Sequence, residues 1–375
     1  MLRRLPALLV LPALFFLASC SRKYSGDEPL PFVASPSLFI ASQNGFVYAL
    51  NPQTGLKKWE YYAGSNIIAT PYLVDDKLYI LAQNGTLIKL DAGQGKEIKR
   101  KNLFTTIQSS PIADGNLLYF GTDIDSVYGY DMKADTIKWR FGTGGGVISS
   151  PALSGNMVII GSNDNKVYAL DKSNGSQIWM FDAGSATNPG FYSSPTVKGN
   201  FVYIGNNDGG LYTLNLADGT LFKKFQTGNS VQASPISYGG NIIFGSYDGK
   251  LYCIDSASGL PRWVSSTGDR IISSPYAAAQ VIYVGSYDYN IYAFNIIDGT
   301  VKWKIQTGAL VKSSPLVYQN KVYVGGFDKM LYALDTATGA TIWKQNINGL
   351  IETSPVLDDN SGKGLYPSIS GAGKD

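Results

Sequence analysis

A Ser-Pro or Thr-Pro dipeptide recurs along this chain at Pro36, Pro71, Pro111, Pro151, Pro195, Pro235, Pro275, Pro315 and Pro355, with gaps of 35, 40, 40, 44, 40, 40, 40 and 40 residues. Eight near-equal intervals demand eight copies of one structural unit. The unit is clearest from Val147 to Phe181, VISSPALSGNMVIIGSNDNKVYALDKSNGSQIWMF. Its apolar segments alternate with period two and are separated by turn residues, which is the pattern of half-buried strands and not of a helix. A constant period near 40 with several short strands per unit predicts a propeller.

Turn chemistry sets the strand count. The first turn of a unit carries pairs such as Asp114-Gly115 and Ser154-Gly155. The second carries Asn44-Gly45, Asn84-Gly85, Asp208-Gly209 and Asp248-Gly249, suited to the positive φ angles of tight hairpins. A third follows the YALD segment, as in Thr54-Gly55, Asn174-Gly175, Asp298-Gly299 and Thr338-Gly339. Three turns join four antiparallel strands, so each unit is one blade, and the chain is an all-β, eight-bladed β-propeller occupying residues 32–357. Blade 1 is short at its start, while Leu350 to Leu357, LIETSPVL, begins a ninth unit. The C-terminal segment is therefore expected to supply the innermost strand of blade 1, with Leu38 onward supplying the outer three, which removes exposed sheet edges. Residues 358–375 form a tail in which Leu365-Tyr366 either pairs as one further strand or stays loose.

The chain opens with Arg3 and Arg4 followed by 13 mostly apolar residues from Leu5 to Leu17, the length of a secretory signal core and too short to span a bilayer. Leu17-Ala18-Ser19-Cys20 then resembles the lipobox of bacterial lipoproteins. That resemblance implies a signal peptide over 1–19, lipidation of Cys20, a tether over 20–31 and an exported protein held at a membrane by acyl chains. Ser21 in place of the aspartate of the enterobacterial retention rule implies the outer membrane, facing the periplasm. Net charge is +3 and falls to +1 when Arg3 and Arg4 leave with the signal peptide, which gives no electrostatic case for nucleic acid.

The chain has no histidine, the commonest general base and metal ligand, and only two cysteines. No catalytic residue, metal or cofactor is expected. The second-turn aspartates Asp164, Asp208, Asp248, Asp288 and Asp328 fall one per blade around a ring, whereas calcium needs six to eight converging oxygens; turn capping is their expected role.

A tryptophan follows the third turn in six units, at Trp59, Trp139, Trp179, Trp263, Trp303 and Trp343, and these are all the tryptophans in the protein. One large ring at a fixed site per blade is expected to pack between neighbouring blades. The pattern YALDxxTGxxxW, as in YALDTATGATIW from Tyr332 to Trp343 and YALNPQTGLKKW from Tyr48 to Trp59, resembles the tryptophan-docked repeat of the pyrroloquinoline-quinone propeller superfamily. Blades 2 and 5 depart from it with Lys99 and Lys223, and looser junctions are expected there. The superfamily includes eight-bladed quinoprotein dehydrogenases and non-catalytic propellers such as the B lipoprotein of the outer-membrane β-barrel assembly machinery. The dehydrogenases carry long insertions and an adjacent-cysteine disulfide over the quinone. Here the only insertion is four residues around Ser185 to Gly190, and Cys253 stands alone in YCID as a small buried residue. The resemblance therefore implies a monomeric, non-enzymatic scaffold for a protein partner in the cell envelope. Its rivals are a quinone-dependent oxidoreductase and a surface glycan-binding lipoprotein.

Four residues before each proline the side chain is always apolar, from Phe32 and Ile67 through Ile351, which marks a core row. Three residues before it stand Val33, Ile68, Gln108, Ile148, Tyr192, Gln232, Ile272, Lys312 and Glu352, which point the other way and are expected to line the central channel. Arg270 shares that face in blade 7. The second turns of blades 6 to 8 place Tyr247, Tyr287 and Phe327 at the same end of the ring, with Tyr289 nearby. Aromatics beside arginine are typical interface anchors. Tyr192, Tyr247, Arg270, Tyr287, Tyr289, Lys312, Phe327 and Glu352 are thus the expected partner-binding set.

Overall fold

A computed structural model describes residues 36–184 and 190–367. Cys20, Phe32, Val33, most of the insertion after Gly184 and the last eight residues lie outside this range. The described residues contain no helix and form seven four-stranded antiparallel sheets and one five-stranded sheet, eight blades in all. Blade 4 is representative: its strands run Ala152–Ser154, Met157–Gly161, Lys166–Asp171 and Gln177–Asp182, in chain order from the axis outward. Burial peaks in the middle of the blade. The second and third strands are almost wholly buried and the fourth is largely exposed.

The ring closes through blade 1, where Val356–Asp358 pairs as the innermost strand with Ser37–Ala41 in the register Leu38 to Leu357 and Phe39 to Val356. Of the two courses open to the segment after residue 357, pairing as one further strand is the one the described residues take. Gly364–Leu365 folds back on the innermost strand, pairing Leu357 with Leu365 and Asp358 with Gly364. Tyr366 then stacks on Tyr72 with ring centroids 5.2 Å apart and bonds the backbone of Leu73. This strand lies inside the innermost strand of blade 1, toward the axis. The core clusters are drawn from adjacent blades, such as Val281, Tyr283 and Val311 against Val322 and Val324. The clusters run from blade to blade, so the ring carries one continuous core.

Each tryptophan joins its blade to the next. The indole N–H donates to a carbonyl in the third turn of the following blade, at Ala92, Lys172, Leu216, Ile296, Thr336 and Pro52, over 2.9 to 3.1 Å. The indole face lies against the glycine of the same turn. Gly175, at φ +73, leaves so little room that a Cβ would stand 2.5 Å from Trp139 Cε3. That fixes both the left-handed turn and the absence of a side chain.

The two lysine junctions carry polar contacts in place of the docked indole. At blades 2 and 3, Lys99 forms an ion pair with Asp135, a left-handed residue at φ +58 that stands where other blades have glycine. The indole-on-glycine contact has been exchanged for an ammonium on a carboxylate. At blades 5 and 6 the aliphatic stem of Lys223 lies over Gly259 and its ammonium donates to the Ser258 carbonyl.

Candidate functional site

The central channel begins with the dipeptide that defines the repeat. Thr70, Ser110, Ser150, Ser194, Ser234, Ser274, Ser314 and Ser354 stand one per blade around it. Each backbone N–H donates to the hydroxyl of the same residue in the next blade, over 2.9 to 3.3 Å, and the ring closes when Ser354 N donates to Thr70 Oγ1. Proline at the following position has no N–H to satisfy, which suits an innermost strand with no neighbour on its axial side. Eight bonds running one way round the ring thus hold the blades at equal spacing. Spacing alone marks these residues as landmarks of the repeat and does not reveal the ring they form.

Toward one end the channel is lined by Ile68, Gln108, Ile148, Tyr192, Gln232, Ile272, Lys312 and Glu352, in a cavity of about 220 Å³. Pro367, which follows the added strand, also contributes to the wall. Backbone bonds lock the second turns to the interblade connections at this mouth: Tyr247 N donates to Ser230 O, Tyr287 N to Arg270 O, and Phe327 N to Leu310 O.

Five of the expected residues meet in direct contacts. The Arg270 guanidinium lies between two phenol rings, 5.4 Å from the centroid of Tyr247 and 5.1 Å from that of Tyr287. Its side chain is 46% exposed and its only carboxylate neighbour among the described residues is Asp269 at 3.7 Å, so its donors still face solvent. Burial pushes the Tyr287 hydroxyl up to about 12, and burial also raises Tyr247 against the pull of Arg270, so both phenols stay neutral. Lys312 and Glu352 form an ion pair in the channel wall, and Gln43 Nε2 donates to the second oxygen of Glu352 at 2.7 Å. A pair so placed fixes geometry more than it stabilises. Tyr192 lines the same wall.

Two expected members stand apart. Phe327 occupies the equivalent turn of blade 8, half-buried and without a ring partner among the described residues. Tyr289 is exposed, takes the left-handed position of its turn at φ +69, and accepts from Thr307 through its carbonyl. It is a turn residue there and joins none of the cluster contacts.

The remaining blades present a polar arc that spacing alone does not assemble. Tyr247 donates to Gln232, Gln232 donates to Asn207, and Gln108 donates to Asp123. Asp123 and Asn163 each keep one buried side-chain oxygen without a donor. The signal was present, since Gln43, Gln83, Asp123, Asn163 and Asn207 precede the turns where blades 6 to 8 have aromatics. The mouth is therefore two-sided, with aromatics and a cation on one arc and amides and carboxylates on the other.

The second-turn aspartates are committed to their own turns. Asp164 accepts from Lys166 N through one oxygen and from Tyr168 Oη and Gly144 N through the other, and the same set recurs at Asp248, Asp288 and Asp328. Among the described residues no three histidine, cysteine, aspartate or glutamate side chains converge.

This ring is shared by proteins of different kinds. The structure of BamB from Moraxella catarrhalis matches with a TM-score of 0.66 at 20% identity, covering 80% of this chain and 91% of that one. The computationally designed Ika8 protein matches at 0.69 and 15% identity, covering 82% and 93%. The quinohemoprotein alcohol dehydrogenase ADHIIG from Pseudomonas putida HK5 matches at 0.66 and 13% identity, covering 84% of this chain and 69% of the enzyme. At such identities these likenesses show the fold alone. Among curated protein sequences none matches this chain. The sequence itself matches one family over residues 18–98, 84–224 and 223–363, nearly the whole ring. The chain therefore belongs to the family described as outer membrane protein assembly factor BamB.

Proposed function

We propose that this protein is a membrane-anchored, non-catalytic scaffold of the bacterial cell envelope that captures a protein partner at the channel mouth, in the assembly of outer-membrane proteins. The observation that carries the reading is Arg270 held between Tyr247 and Tyr287 at the open end of a ring whose sequence matches this family. A guanidinium fixed between two rings loses little freedom on binding and keeps its outward donors for a partner's carboxylate or carbonyl groups, while the rings supply apolar area. The Lys312 and Glu352 pair at the throat sets the register of what enters. Lipid on Cys20 would hold the ring at the membrane, consistent with the lipobox-like LASC sequence.

The dehydrogenase likeness motivates a second reading, a quinone-dependent oxidoreductase. The residues present do not fit that cofactor. The facing aromatics of the mouth already enclose Arg270, and the aspartates that could ligand calcium are spent on turn N–H groups and tyrosine hydroxyls. Affinity capture of the anchored protein from its own membranes after mild crosslinking tests the choice. Recovery of barrel-assembly components by the native chain, and their loss with Arg270→Ala, is the expected result. A bound chromophore with no protein partner would move the assignment to the oxidoreductase.

A further inference from the structure

We propose that Phe104 and Ile124, at the channel mouth between blades 2 and 3, are a second anchor for the protein partner, one that takes an apolar side chain flanked by basic residues. This rests on the reading that a partner is held at the mouth, and it names the chemistry of a contact opposite Arg270. Phe104 stands in the connection from blade 2 to blade 3, and Ile124 in the second turn of blade 3. Asp123 N donates to Thr106 O at 2.9 Å, the same bond that joins Tyr287 to Arg270, so the two residues sit on adjoining loops at the mouth end. The connections from blade 2 to 3 and from blade 6 to 7 are half a ring apart. This pair therefore faces Arg270 across the opening.

Neither side chain serves the fold. At four other junctions the same two positions are glycine and aspartate, and the N–H of Gly144, Gly228, Gly268 or Gly308 donates to Asp164, Asp248, Asp288 or Asp328 over 2.7 to 3.0 Å. Phe104 and Ile124 replace that bonded pair, and they are 86% and 51% exposed. Phe104 also lies in the left-handed region at φ +53, where a bulky residue is rare and costs backbone energy. Gly64 and Gly184 take the corresponding positions at φ +89 and +78 without that cost. A strained aromatic ring left in water stabilises nothing in this chain, and its place is at a contact with another molecule.

Charge around the pair selects the occupant. Asp123 and Asp125 flank Ile124, and residues 102–107 carry no charged side chain. Asp123 accepts from the Gln108 amide at 3.0 Å, and its other oxygen is buried without a donor. Arg140, on the same blade, donates to Ser126 Oγ at 2.8 Å and lies 5.7 Å from the Tyr128 ring centroid. Among the described residues no cation is paired with either carboxylate. Such a turn repels an anionic bilayer, and a second copy docking through the same face would bring like charges together. A phenylalanine or leucine with lysine or arginine beside it suits both the apolar pair and its carboxylates. With acceptor groups on Arg270 and this segment on Phe104, the mouth also fixes the direction in which the partner lies.

The test is methyl NMR of the full chain in detergent with labelled isoleucine, titrated with acetyl-Lys-Phe-Lys-amide and with acetyl-Glu-Phe-Glu-amide. The basic peptide should shift the Ile124 methyl saturably, and the acidic one should bind at least about tenfold more weakly. Phe104→Asn should keep the fold, because Asn348 already holds the equivalent position at φ +58, and should weaken the basic peptide about tenfold or more. Asp123→Asn with Asp125→Asn should weaken it by about fivefold for each charge at most. Equal affinity for the two peptides, no shift at Ile124, or native affinity in Phe104→Asn overturns the proposal. A shift at Ile272, which lines the channel two residues from Arg270, in place of Ile124 would put the peptide on the Arg270 side; it overturns this proposal and leaves the mouth reading standing. Broadening of the Ile124 signal by phosphatidylglycerol vesicles, or a shift that follows protein concentration without peptide, would assign the pair to lipid or to a second copy and overturns it too.

Discussion

Docking of an indole on a bare backbone is the joint that repeats around this ring, and Gly175 allows its strength to be measured. Replacing Gly175 with Ala has two separable costs. The left-handed backbone at φ +73 penalises a Cβ by about 1–2 kcal/mol. The methyl would also stand 2.5 Å from Trp139 Cε3 and 2.6 Å from Cδ2, so the indole must shift within a packed junction, at about 1–3 kcal/mol. The sum is about 2–5 kcal/mol. Gly115 provides the control, since it has φ +56 with nothing within 4 Å of a built Cβ; Gly115→Ala should cost only the backbone share. Urea unfolding followed by tryptophan fluorescence should separate the two. Adding Trp139→Leu removes the atoms that the methyl meets, so Gly175→Ala should then cost no more than Gly115→Ala. If Gly115→Ala and Gly175→Ala destabilise equally, or if removal of Trp139 leaves the cost of Gly175→Ala unchanged, the docking account is wrong.

Three further outcomes follow from the same geometry. Lys99→Trp with Asp135→Gly should stabilise the junction of blades 2 and 3, because the pair it replaces is more than half exposed at Lys99 and worth about 1 kcal/mol or less, and a rise in the urea midpoint checks it. Ser234→Ala should cost about 1–3 kcal/mol by leaving Ser194 N–H without its acceptor, whereas Ser234→Thr should be mild because Thr70 already serves in the ring. Burial raises the buried phenols Tyr79, Tyr119 and Tyr283 to about 12, above the ordinary value of 10.0, so the folded state holds protons that the unfolded chain has released. Their contribution is full below pH 10 and is lost as pH rises toward 12, so the share of phenolate absorbance removed by Tyr79→Phe, Tyr119→Phe and Tyr283→Phe should rise together with unfolding and not before it.

The blade count, the strand order and the closure through the C-terminal segment were all legible in the chain, because a period near 40 and three turn signals per unit leave few alternatives. The tryptophans were legible as interblade residues for the same reason. Lys99 is readable as a departure, and Asp135, which stands where the other blades carry glycine, signals the exchange. Leu365-Tyr366 was legible as a possible further strand but not as a settled one, since a single short strand carries no periodicity and its place depends on a contact with Tyr72 from another blade. At the mouth, alternation identified which side chains face the channel. It could not show that Arg270 would lie between Tyr247 and Tyr287 while Tyr289, two residues further on, turns outward in a left-handed turn. Spacing sets which face a residue is on; rotamer and neighbours set what it touches.

The central claim is that a protein partner is held at the channel mouth. A photo-crosslinking residue placed at Phe327, half-buried in the blade 8 turn at the mouth, and in a second chain at Gly115, in a first turn at the other end of the blades, tests it most directly in intact cells. The account predicts a discrete protein adduct from position 327, lost when Arg270→Ala is added, and none from position 115. Adducts of equal yield from both positions, or an adduct at 327 that persists without Arg270, would contradict it.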